Sequence, residues 1–289
     1  MTTDRPRSGT VLVGLDDTPH AWLAADWAAR EAELRGAVLR IVHAVPAVSA
    51  ATDPEGRGET DARVLDAAAG VLDDARARTA AAHPGLRTDA ALGHGLPAEV
   101  LLDASRDADL IVVGTRGRGG FTGLLLGSVS LKTAAHADRP VVVVRGHTER
   151  AAHGDVVVGI RDEHDEDAVR FGLAEAALRR TAVRLVHAWT PMTRAGLMVP
   201  QVSQVDAEQR LHRQLLEHAA RPAAEYPQVH TETVLAVGSA AGALVEASEG
   251  AALIVVPRHP PAERLGMRLG SVVHAVVHHA SCPVAVVPT

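Results

Sequence analysis

The chain has 289 residues, a length that suggests two domains. Its 47% hydrophobic and 22% charged residues are typical of globular proteins and exclude wholesale disorder. Aromatic residues make up only 2% and the formal net charge is -6 without a basic block, so the composition argues against a base-stacking RNA platform, a dedicated nucleic-acid binder and an anionic-membrane binder.

Nothing in the sequence indicates secretion or a membrane span. Residues Met1–Ser8 are polar and lack the apolar region of a signal peptide. The longest apolar runs, such as Leu110–Val113 and Val141–Val144, are far too short to cross a bilayer. Cys282 is the single cysteine and cannot form an internal disulfide, which fits a reducing compartment. We therefore expect a cytoplasmic protein with no membrane partner.

The sequence contains a long internal repeat. The motif LIVV at Leu110–Val113 recurs 143 positions later at Leu253–Val256, and LGSV and PVVVV recur at the same offset, the latter as PVAVV. A repeat of this length corresponds to a whole domain rather than a solenoid unit. We predict two tandem domains, at residues 1–148 and 152–289, joined by a short polar segment.

Within each copy, short apolar runs alternate with longer helix-like stretches. In the first copy the predicted elements alternate strand and helix in this order: Thr10–Leu15, Pro19–Leu34, Val38–Ala44, about Thr60–Ala82, Leu86–Leu92, Pro97–Arg106, Leu110–Gly114, Ser128–Ala137 and Val141–Arg145. Continuous apolar strands separated by helices indicate a parallel sheet covered on both faces. The predicted fold class is α/β: two tandem doubly wound domains, each an open five-stranded parallel sheet flanked by helices.

The first predicted helix carries clear local signals. Thr18 and Pro19 are favourable residues for the N-cap and the first helical position. Leu23, Trp27 and Leu34 are spaced to form one apolar face, which we expect to pack against the sheet.

A glycine-rich loop follows the fourth predicted strand and reads GTRGRGGFTGLLLGS. Glycines allow a close backbone approach, and successive N–H groups followed by a helix N-terminus form a phosphate site. If the first strand lies beside the fourth, the ligand crevice of the sheet is lined by this loop and by Gly14–Thr18. The candidate residues of the loop are Gly114, Thr115, Arg116, Gly117, Arg118, Gly119, Gly120, Gly127 and Ser128.

Two points about this loop stay open in the sequence. Ser128 is positioned either to cap the following helix or to donate its hydroxyl to a phosphate oxygen. The glycines themselves have a plainer alternative, a solvent-exposed connection in which they only make turns. The loop is neither a Walker A motif nor a GxGxxG loop after the first strand.

The spacing Gly114-x2-Gly117-x9-Gly127-Ser128 resembles the nucleotide-binding signature of the universal stress protein family. VGLDDTP at the first strand, VHA at the second and PVVVV at the fifth also resemble the family, so the resemblance covers nearly the whole chain. It implies that the protein binds ATP, with or without Mg²⁺. It implies a pocket formed by Asp16 near the ribose and phosphates, Ala44 beside the adenine, and Gly14, Val113, Gly114, Gly117, Gly127, Ser128 and Val129.

The resemblance also bears on assembly and activity. It implies a pseudo-dimer of the two copies within the chain, with a homodimer as a further option. We expect a nucleotide-responsive stress or signalling regulator without catalytic residues. One alternative is a slow ATPase or phosphotransferase, for which Asp16 and Asp17 are the nearby carboxylates. Another is a sensor of AMP or a cyclic nucleotide. Asp16 also has a structural alternative, as a helix-entry residue that competes with Thr18 for capping.

The second copy departs from the glycine pattern. Pro257 and Pro260 replace the first two glycines of the loop, and Arg161 stands where Asp16 stands in the first copy. Proline has no N–H to donate, so we predict that the second copy binds nucleotide weakly or not at all. Arg258, Arg264 and Arg268 leave open a contact with an anion. The signature residues retained in the second copy are Gly270 and Ser271.

The histidines and the cysteine have structural interpretations. His274 and His278 share a helix face, but two ligands do not make a metal site, and we predict none. His43 and His187 end the second strands and either shape the pocket rim or pack structurally. Cys282 is expected to be a small packing residue.

Overall fold

The structure is a computed structural model that describes residues 9–45, 54–117, 126–145, 154–191, 202–259 and 269–289, with the side chains of residues 54–61 and 202–204 left out. The chain divides into two compact units, Met1–Val144 and Arg145–Thr289. Each unit is a parallel β-sheet flanked by helices, as predicted.

The first unit alternates strands and helices along the chain. Its elements are β1 (Thr10–Gly14), α1 (Pro19–Arg35), β2 (Val38–Val45), α2 (Pro54–Ala82), β3 (Thr88–His94), α3 (Pro97–Ala104), a 3-10 turn (Ser105–Asp107), β4 (Leu110–Gly114), α4 (Ser128–His136) and β5 (Val141–Val144). The strand order is β3-β2-β1-β4-β5, and every pair is parallel. Strand order therefore reverses between β1 and β4, which opens a crevice at their carboxyl ends.

The second unit repeats this arrangement. Its elements are β6 (Val156–Ile160), α5 (Glu166–Arg179), β7 (Val183–Trp189), α6 (Val202–Ala219), a 3-10 turn (Arg221–Glu225), β8 (Thr231–Val237), α7 (Ala240–Ala247), β9 (Leu253–Arg258), α8 (Ser271–His279) and β10 (Val284–Pro288). The parallel strands lie in the order β10-β9-β6-β7-β8. The central pair is here β6 and β9, so the strand order reverses at the equivalent place, where a second crevice is expected.

The central strands are apolar along their whole length because helices cover both faces of the sheet. Leu12 in β1, Ile111 in β4 and Leu253 in β9 are all 0% exposed. Burying a side chain of this size contributes about 1.5–3 kcal/mol relative to exposure. The continuous apolar runs in the sequence are thus the core of each unit.

Helix α1 packs against the sheet through alanines rather than through the predicted leucines. Trp27 is 7% exposed, but Leu23 and Leu34 are 40% and 49% exposed, so the predicted apolar face is wrong for both leucines. The buried face consists mainly of small residues, namely Ala21, Ala24, Ala25, Ala28, Ala29 and Ala32. Small side chains let the helix backbone lie close to the sheet, and the leucines fall on the outer side.

The predicted start of α1 is confirmed, and the helix ends one residue beyond the predicted Leu34. The hydroxyl of Thr18 accepts a hydrogen bond from the Ala21 N–H at 3.3 Å, and Pro19 begins the helix. The helix ends at Gly36, which has a left-handed backbone with φ of 60°. Such a conformation is readily adopted by glycine and is a common helix stop.

Other element boundaries differ from the sequence predictions. Helix α2 begins at Pro54, earlier than the predicted Thr60. Its first turns contain glycines and polar residues, which carry little periodic signal. Strand β3 begins at Thr88 instead of Leu86, and the regular part of α3 ends at Ala104 before a 3-10 turn. Differences of one or two residues are usual at element ends.

Candidate functional site

A cavity of about 440 Å³ lies in the first unit, at the carboxyl ends of β1, β2 and β4 and beside the N-terminus of α4. This is the crevice expected where the strand order reverses. The cavity is lined by these residues of the predicted site: Gly14, Asp16, Ala44, Val113, Gly114, Arg116, Gly117, Gly127, Ser128 and Val129.

Some predicted site residues do not line this cavity. Thr115 is buried, and its hydroxyl oxygen lies 3.4 Å from Nδ1 of His20. Arg118, Gly119 and Gly120 lie outside the described residues. Leu15 and Leu126, which lie within the two segments predicted to line the crevice, also line it. The sequence pattern did not predict five further lining residues, namely Ala21, Val42, Pro97, Leu101 and Ser130.

One end of the cavity is formed by the N-terminus of α4. Gly127 occupies the N-cap position and makes no side-chain cap, and its N–H donates to the carbonyl of Thr115 at 2.6 Å. The capping alternative for Ser128 is therefore not what the structure shows, because Ser128 is the first helical residue. The N–H groups of the first turn have no acceptor within the helix, and the helix dipole favours an anion at this end.

Ser130 holds this helix start against the sheet. Its side chain is buried, and its hydroxyl donates to the carbonyl of Gly114 at 2.6 Å. The bond joins the first turn of α4 to the last residue of β4. It positions the helix N-terminus at the mouth of the crevice, a role that the local sequence did not signal.

Two positions of the loop require glycine for different physical reasons. A Cβ on Gly114 would lie 2.6 Å from the backbone oxygen of His20, so Gly114 is required by the close approach of α1 to β4. A Cβ on Gly117 would lie 2.5 Å from Oδ2 of Asp16. Gly117 therefore lets the loop backbone come up to the Asp16 carboxylate, which makes a narrow polar edge of the cavity.

Asp16 is fixed beside the start of α1 without capping it. Its Oδ1 accepts hydrogen bonds from the backbone N–H of Thr18 at 3.3 Å and from the Thr18 hydroxyl at 2.7 Å. The cap itself is Thr18. Asp17, by contrast, accepts a hydrogen bond from the indole N–H of Trp22 at 3.2 Å and does not line the cavity. Of the carboxylates in the described part of the chain, Asp16 alone lines it.

Another part of the cavity lining is apolar. Leu15, Val42 and Val113 are buried there, and Ala44 lies at the end of β2. His43 is 4% exposed, and its Nδ1 lies 2.6 Å from the carbonyl oxygen of Leu15. His43 thus lines the cavity and also ties β2 to the end of β1, so both of its sequence interpretations apply.

The same strand ends in the second unit have different chemistry. Pro257 lies within β9, in register with Val287, and offers no backbone N–H. Gly270 is again the N-cap of the last helix, α8, and Ser271 its first residue, both exposed. The predicted positions Pro260, Arg264 and Arg268 lie outside the described residues.

Acidic and histidine side chains gather at this end of the second unit. Asp165 is fully buried, and burial raises the pKa of its carboxyl group, although the backbone N–H groups of Arg161 and Asp162 oppose that shift. His259 Nε2 lies 2.8 Å from Asp165 Oδ1. The sequence pattern did not indicate that Asp162, Asp165 and His259 lie together. His259 is far from the two aspartates along the chain. The signal that could have found this cluster is that all three residues follow strands that are neighbours in one sheet.

The remaining histidine and cysteine predictions concern packing. The rings of His274 and His278 stack on α8 with centroids 4.2 Å apart. His187 Nδ1 lies 2.9 Å from the carbonyl oxygen of Ile160, which repeats the contact of His43 in the first unit. Burial raises the pKa of the Cys282 thiol to about 12, as suits a packing residue. Within the described ranges, no helix combines the length and apolar content needed to cross a bilayer.

Fold and crevice together define a tandem protein made of two doubly wound α/β domains. The model of the universal stress protein family matches residues 8–145 and again residues 153–288. The chain therefore belongs to the universal stress protein family, with the family's domain present twice, and the resemblance seen in the sequence is confirmed.

Individual relatives agree with this assignment. A universal stress protein of Mycobacterium tuberculosis is 35% identical over 291 residues, which cover 96% of this chain and 95% of the relative. The crystal structure of a universal stress protein from Archaeoglobus fulgidus covers 98% of this chain and 99% of its own with a TM-score of 0.72; at 17% identity it supports the fold alone. A universal stress protein solved in complex with cAMP is 28% identical and covers 48% of this chain, with a TM-score of 0.39.

Proposed function

We propose that the first domain binds ATP and that the protein acts as a nucleotide-responsive regulator. The observation that carries this proposal is the cavity between β1, β4 and α4, whose lining combines apolar residues with the N-terminus of a helix, which favours an anion. Its volume of about 440 Å³ lies within the usual range for small-molecule pockets. Ala44 and Val113 suit an adenine ring, while Ser128 and the first N–H groups of α4 suit phosphates.

The proposal includes a limited role for Mg²⁺. The ion is usually held by one or two carboxylates together with substrate phosphates. Asp16 lies at the polar edge of the cavity beside Gly117 and fits that role. Bound Mg²⁺ would neutralise phosphate charge next to the Asp16 carboxylate, which would otherwise repel the ligand.

Binding is favoured over efficient turnover by the composition of the cavity lining. Phosphoryl transfer needs a positioned base or water-orienting group in addition to a metal ligand. Asp16 is the one carboxylate among the described lining residues, and it already accepts hydrogen bonds from Thr18. A slow ATPase or phosphotransferase that uses Asp16 is the second candidate function, and a sensor of AMP or a cyclic nucleotide is the third.

Regulation would follow from differential binding. A ligand shifts an equilibrium only as far as it prefers one state. ATP would contact the Gly114–Ser128 loop and thereby favour one loop conformation, and a partner surface or dimer contact would respond. Pairing of the two copies within the chain, a homodimer and a cytoplasmic location remain predictions of this proposal.

Identification of the bound nucleotide is the first test. Freshly purified protein is denatured, and the released small molecules are separated by chromatography. Released ATP supports the proposal, while AMP or a cyclic nucleotide supports the sensor. Incubation with ATP and Mg²⁺ follows, and ADP that accumulates in the parent but not in Asp16→Asn supports the slow ATPase.

Titration with ATP tests the location and number of sites. We expect about one site per chain, because Pro257 removes a donor from the second crevice. Ser128→Ala should weaken binding by about ten- to a hundredfold, since a hydrogen bond to a charged group contributes roughly 1.5–3 kcal/mol. The matched control is Ser271→Ala, at the same position of the second copy, and it should leave the affinity unchanged. Two sites of equal affinity, or equal losses in both variants, would refute the proposal.

A further inference from the structure

Three side chains with metal-binding atoms meet in the second domain, at the carboxyl ends of β6 and β9. Asp162 and Asp165 lie between β6 and α5, and His259 directly follows β9. These two strands are parallel neighbours in the sheet. One ligand atom from each of the three side chains lies within 4.8 Å of the others. The topology thus brings together residues that are widely separated along the chain.

Asp165 is held so that one carboxylate oxygen remains for a ligand. Its Oδ2 accepts hydrogen bonds from the backbone N–H groups of Arg161 at 2.6 Å and Asp162 at 3.1 Å. The side chain is 0% exposed. Burying an ionised carboxylate is costly unless both of its oxygens are compensated. The backbone satisfies Oδ2 and leaves Oδ1 to be satisfied by another group.

Asp165 Oδ1 does not form a hydrogen bond with His259, although the two side chains are in contact. Oδ1 of Asp165 and Nε2 of His259 lie 2.8 Å apart, yet both atoms are buried and neither has a hydrogen-bond partner among the residues that the structure describes. Their close approach therefore lacks the alignment of an N–H donor with an oxygen acceptor. In a tetrahedral site, two atoms bound to one metal at 2.0–2.2 Å would lie about 3.3–3.6 Å from each other. The observed separation needs only a small adjustment to reach that arrangement.

Asp162 supplies the third ligand, and it is the most exposed of the three, so an ion can reach the site from solvent on its side. Its Oδ1 accepts a hydrogen bond from the backbone N–H of His164 at 2.9 Å, and Oδ2 lies 3.6 Å from Nε of Arg161. The Asp162 side chain is 37% exposed and that of His259 is 18% exposed. Both aspartates are therefore oriented by backbone hydrogen bonds, as metal-ligating carboxylates commonly are.

The side chains of this crevice do not form a phosphate site. Two carboxylates repel phosphates, and Pro257 cannot donate a backbone N–H to one. One imidazole with two carboxylates suits a divalent first-row transition metal, since imidazole ligands favour such metals over Mg²⁺ and Ca²⁺. Three protein ligands leave a coordination position for water.

We propose that the second domain binds a divalent transition-metal ion through Asp162, Asp165 and His259. The ion is coordinated by Oδ1 of Asp165, Nε2 of His259 and a carboxylate oxygen of Asp162. The crevice that takes an anionic ligand in the first domain is thus a cation site in the second. This inference does not depend on the proposed nucleotide site, because it uses residues of the second domain alone.

Calorimetric titration of the metal-free full-length chain with Zn²⁺ tests this site. The expected result is a site with a stoichiometry of one per chain that Mg²⁺ does not fill. Asp165→Asn and His259→Gln should each weaken Zn²⁺ binding at least tenfold, because each removes a direct ligand. Asp162→Asn, which changes the most exposed of the three ligands, provides a variant with little risk to folding.

Two matched controls distinguish this site from other zinc-binding groups on the protein. Glu163→Gln removes an exposed acidic side chain between the two aspartates, and His274→Gln breaks the stacked histidine pair on α8. Both variants should keep the parent affinity for Zn²⁺. The proposal is overturned if Zn²⁺ does not bind, if Mg²⁺ binds equally well, or if binding is lost in His274→Gln and kept in His259→Gln. In the first and last of these cases Asp165 and His259 form a structural contact only, and in the second the site does not select a transition metal.

Discussion

Gly114 is the residue at which packing and the candidate nucleotide site meet. It ends β4, lines the cavity, and accepts the Ser130 hydroxyl at its carbonyl. The space above its Cα is taken by the backbone oxygen of His20, which belongs to α1 and cannot rotate away as a side chain can. Glycine at this position is therefore explained by the contact between helix and sheet, before any ligand is considered.

Gly114→Ala should destabilise the first domain. The added Cβ would lie 2.6 Å from the His20 backbone oxygen, and overpacking of this kind typically costs about 1–3 kcal/mol. The control is Gly70→Ala in α2, where a Cβ would meet no atom of the described residues within 4 Å and alanine favours the helix by about 0.5–1 kcal/mol. Urea unfolding without nucleotide measures both. A Gly114→Ala protein as stable as the parent would contradict this explanation.

Cys282 should be unreactive in the folded protein. The thiol is 2% exposed, and burial raises its pKa to about 12, so hardly any thiolate is present at pH 8. We expect a disulfide reagent such as DTNB to label the native chain negligibly and to label one thiol per chain in guanidinium chloride. Rapid labelling of the native protein would show that the segment around Cys282, just before β10, opens frequently.

At the scale of elements, two helix starts define the polar end of the candidate nucleotide site. Helix α4 presents its uncapped first turn to the cavity, whereas α1 is capped by Thr18, which also contacts Asp16. The cap of α1 follows from local sequence and was predicted from it, whereas the uncapped start of α4 was not. The buried face of α1 was not predicted either, because alanines carry a weak periodic signal and the sheet selects whichever side of the helix can approach most closely.

Thr18→Ala should affect both stability and ligand binding. Loss of an N-cap side chain typically costs about 1 kcal/mol. Because Thr18 also orients the Asp16 carboxylate, we expect a weaker affinity for Mg²⁺–ATP in addition. The matched control is Ser239→Ala, which removes the N-cap of α7 in the second domain. It should lower stability by a similar amount in thermal unfolding but leave ATP binding unchanged; a loss of ATP affinity in both variants would argue against a specific role for Thr18.

At the scale of the whole molecule, the two domains share a topology but differ in the side chains around their crevices. The second domain stacks His212 of α6 on His187 and Trp189, with ring centroids 5.0 and 4.9 Å apart. Burial lowers the pKa of His212, the charge of His187 lowers it further, and Glu208 opposes both. Duplication therefore produced one topology with two electrostatic environments.

Acid should destabilise the second domain through His212. Because its folded-state pKa lies below the ordinary value of 6.5, the unfolded chain binds more protons, and stability falls as the pH decreases through that value. We expect a lower Tm at pH 5.5 than at pH 7.5, and a smaller difference in His212→Phe. The control His230→Phe changes an exposed side chain of the same domain and should show the parent's difference. An unchanged difference in His212→Phe would exclude His212 as its source.

The sequence by itself determined the duplication, the order of strands and helices, the cap of α1 and the glycine loop of the first copy. These features depend on residues close together in the chain or on exact recurrence. Only the tertiary structure decided that Ser130 binds the Gly114 carbonyl, that His43 contacts Leu15, and that Asp165 meets His259. Such contacts depend on strand neighbours and on how closely a helix lies against the sheet. Local hydrophobic patterns do not specify those distances, because long-range packing sets them.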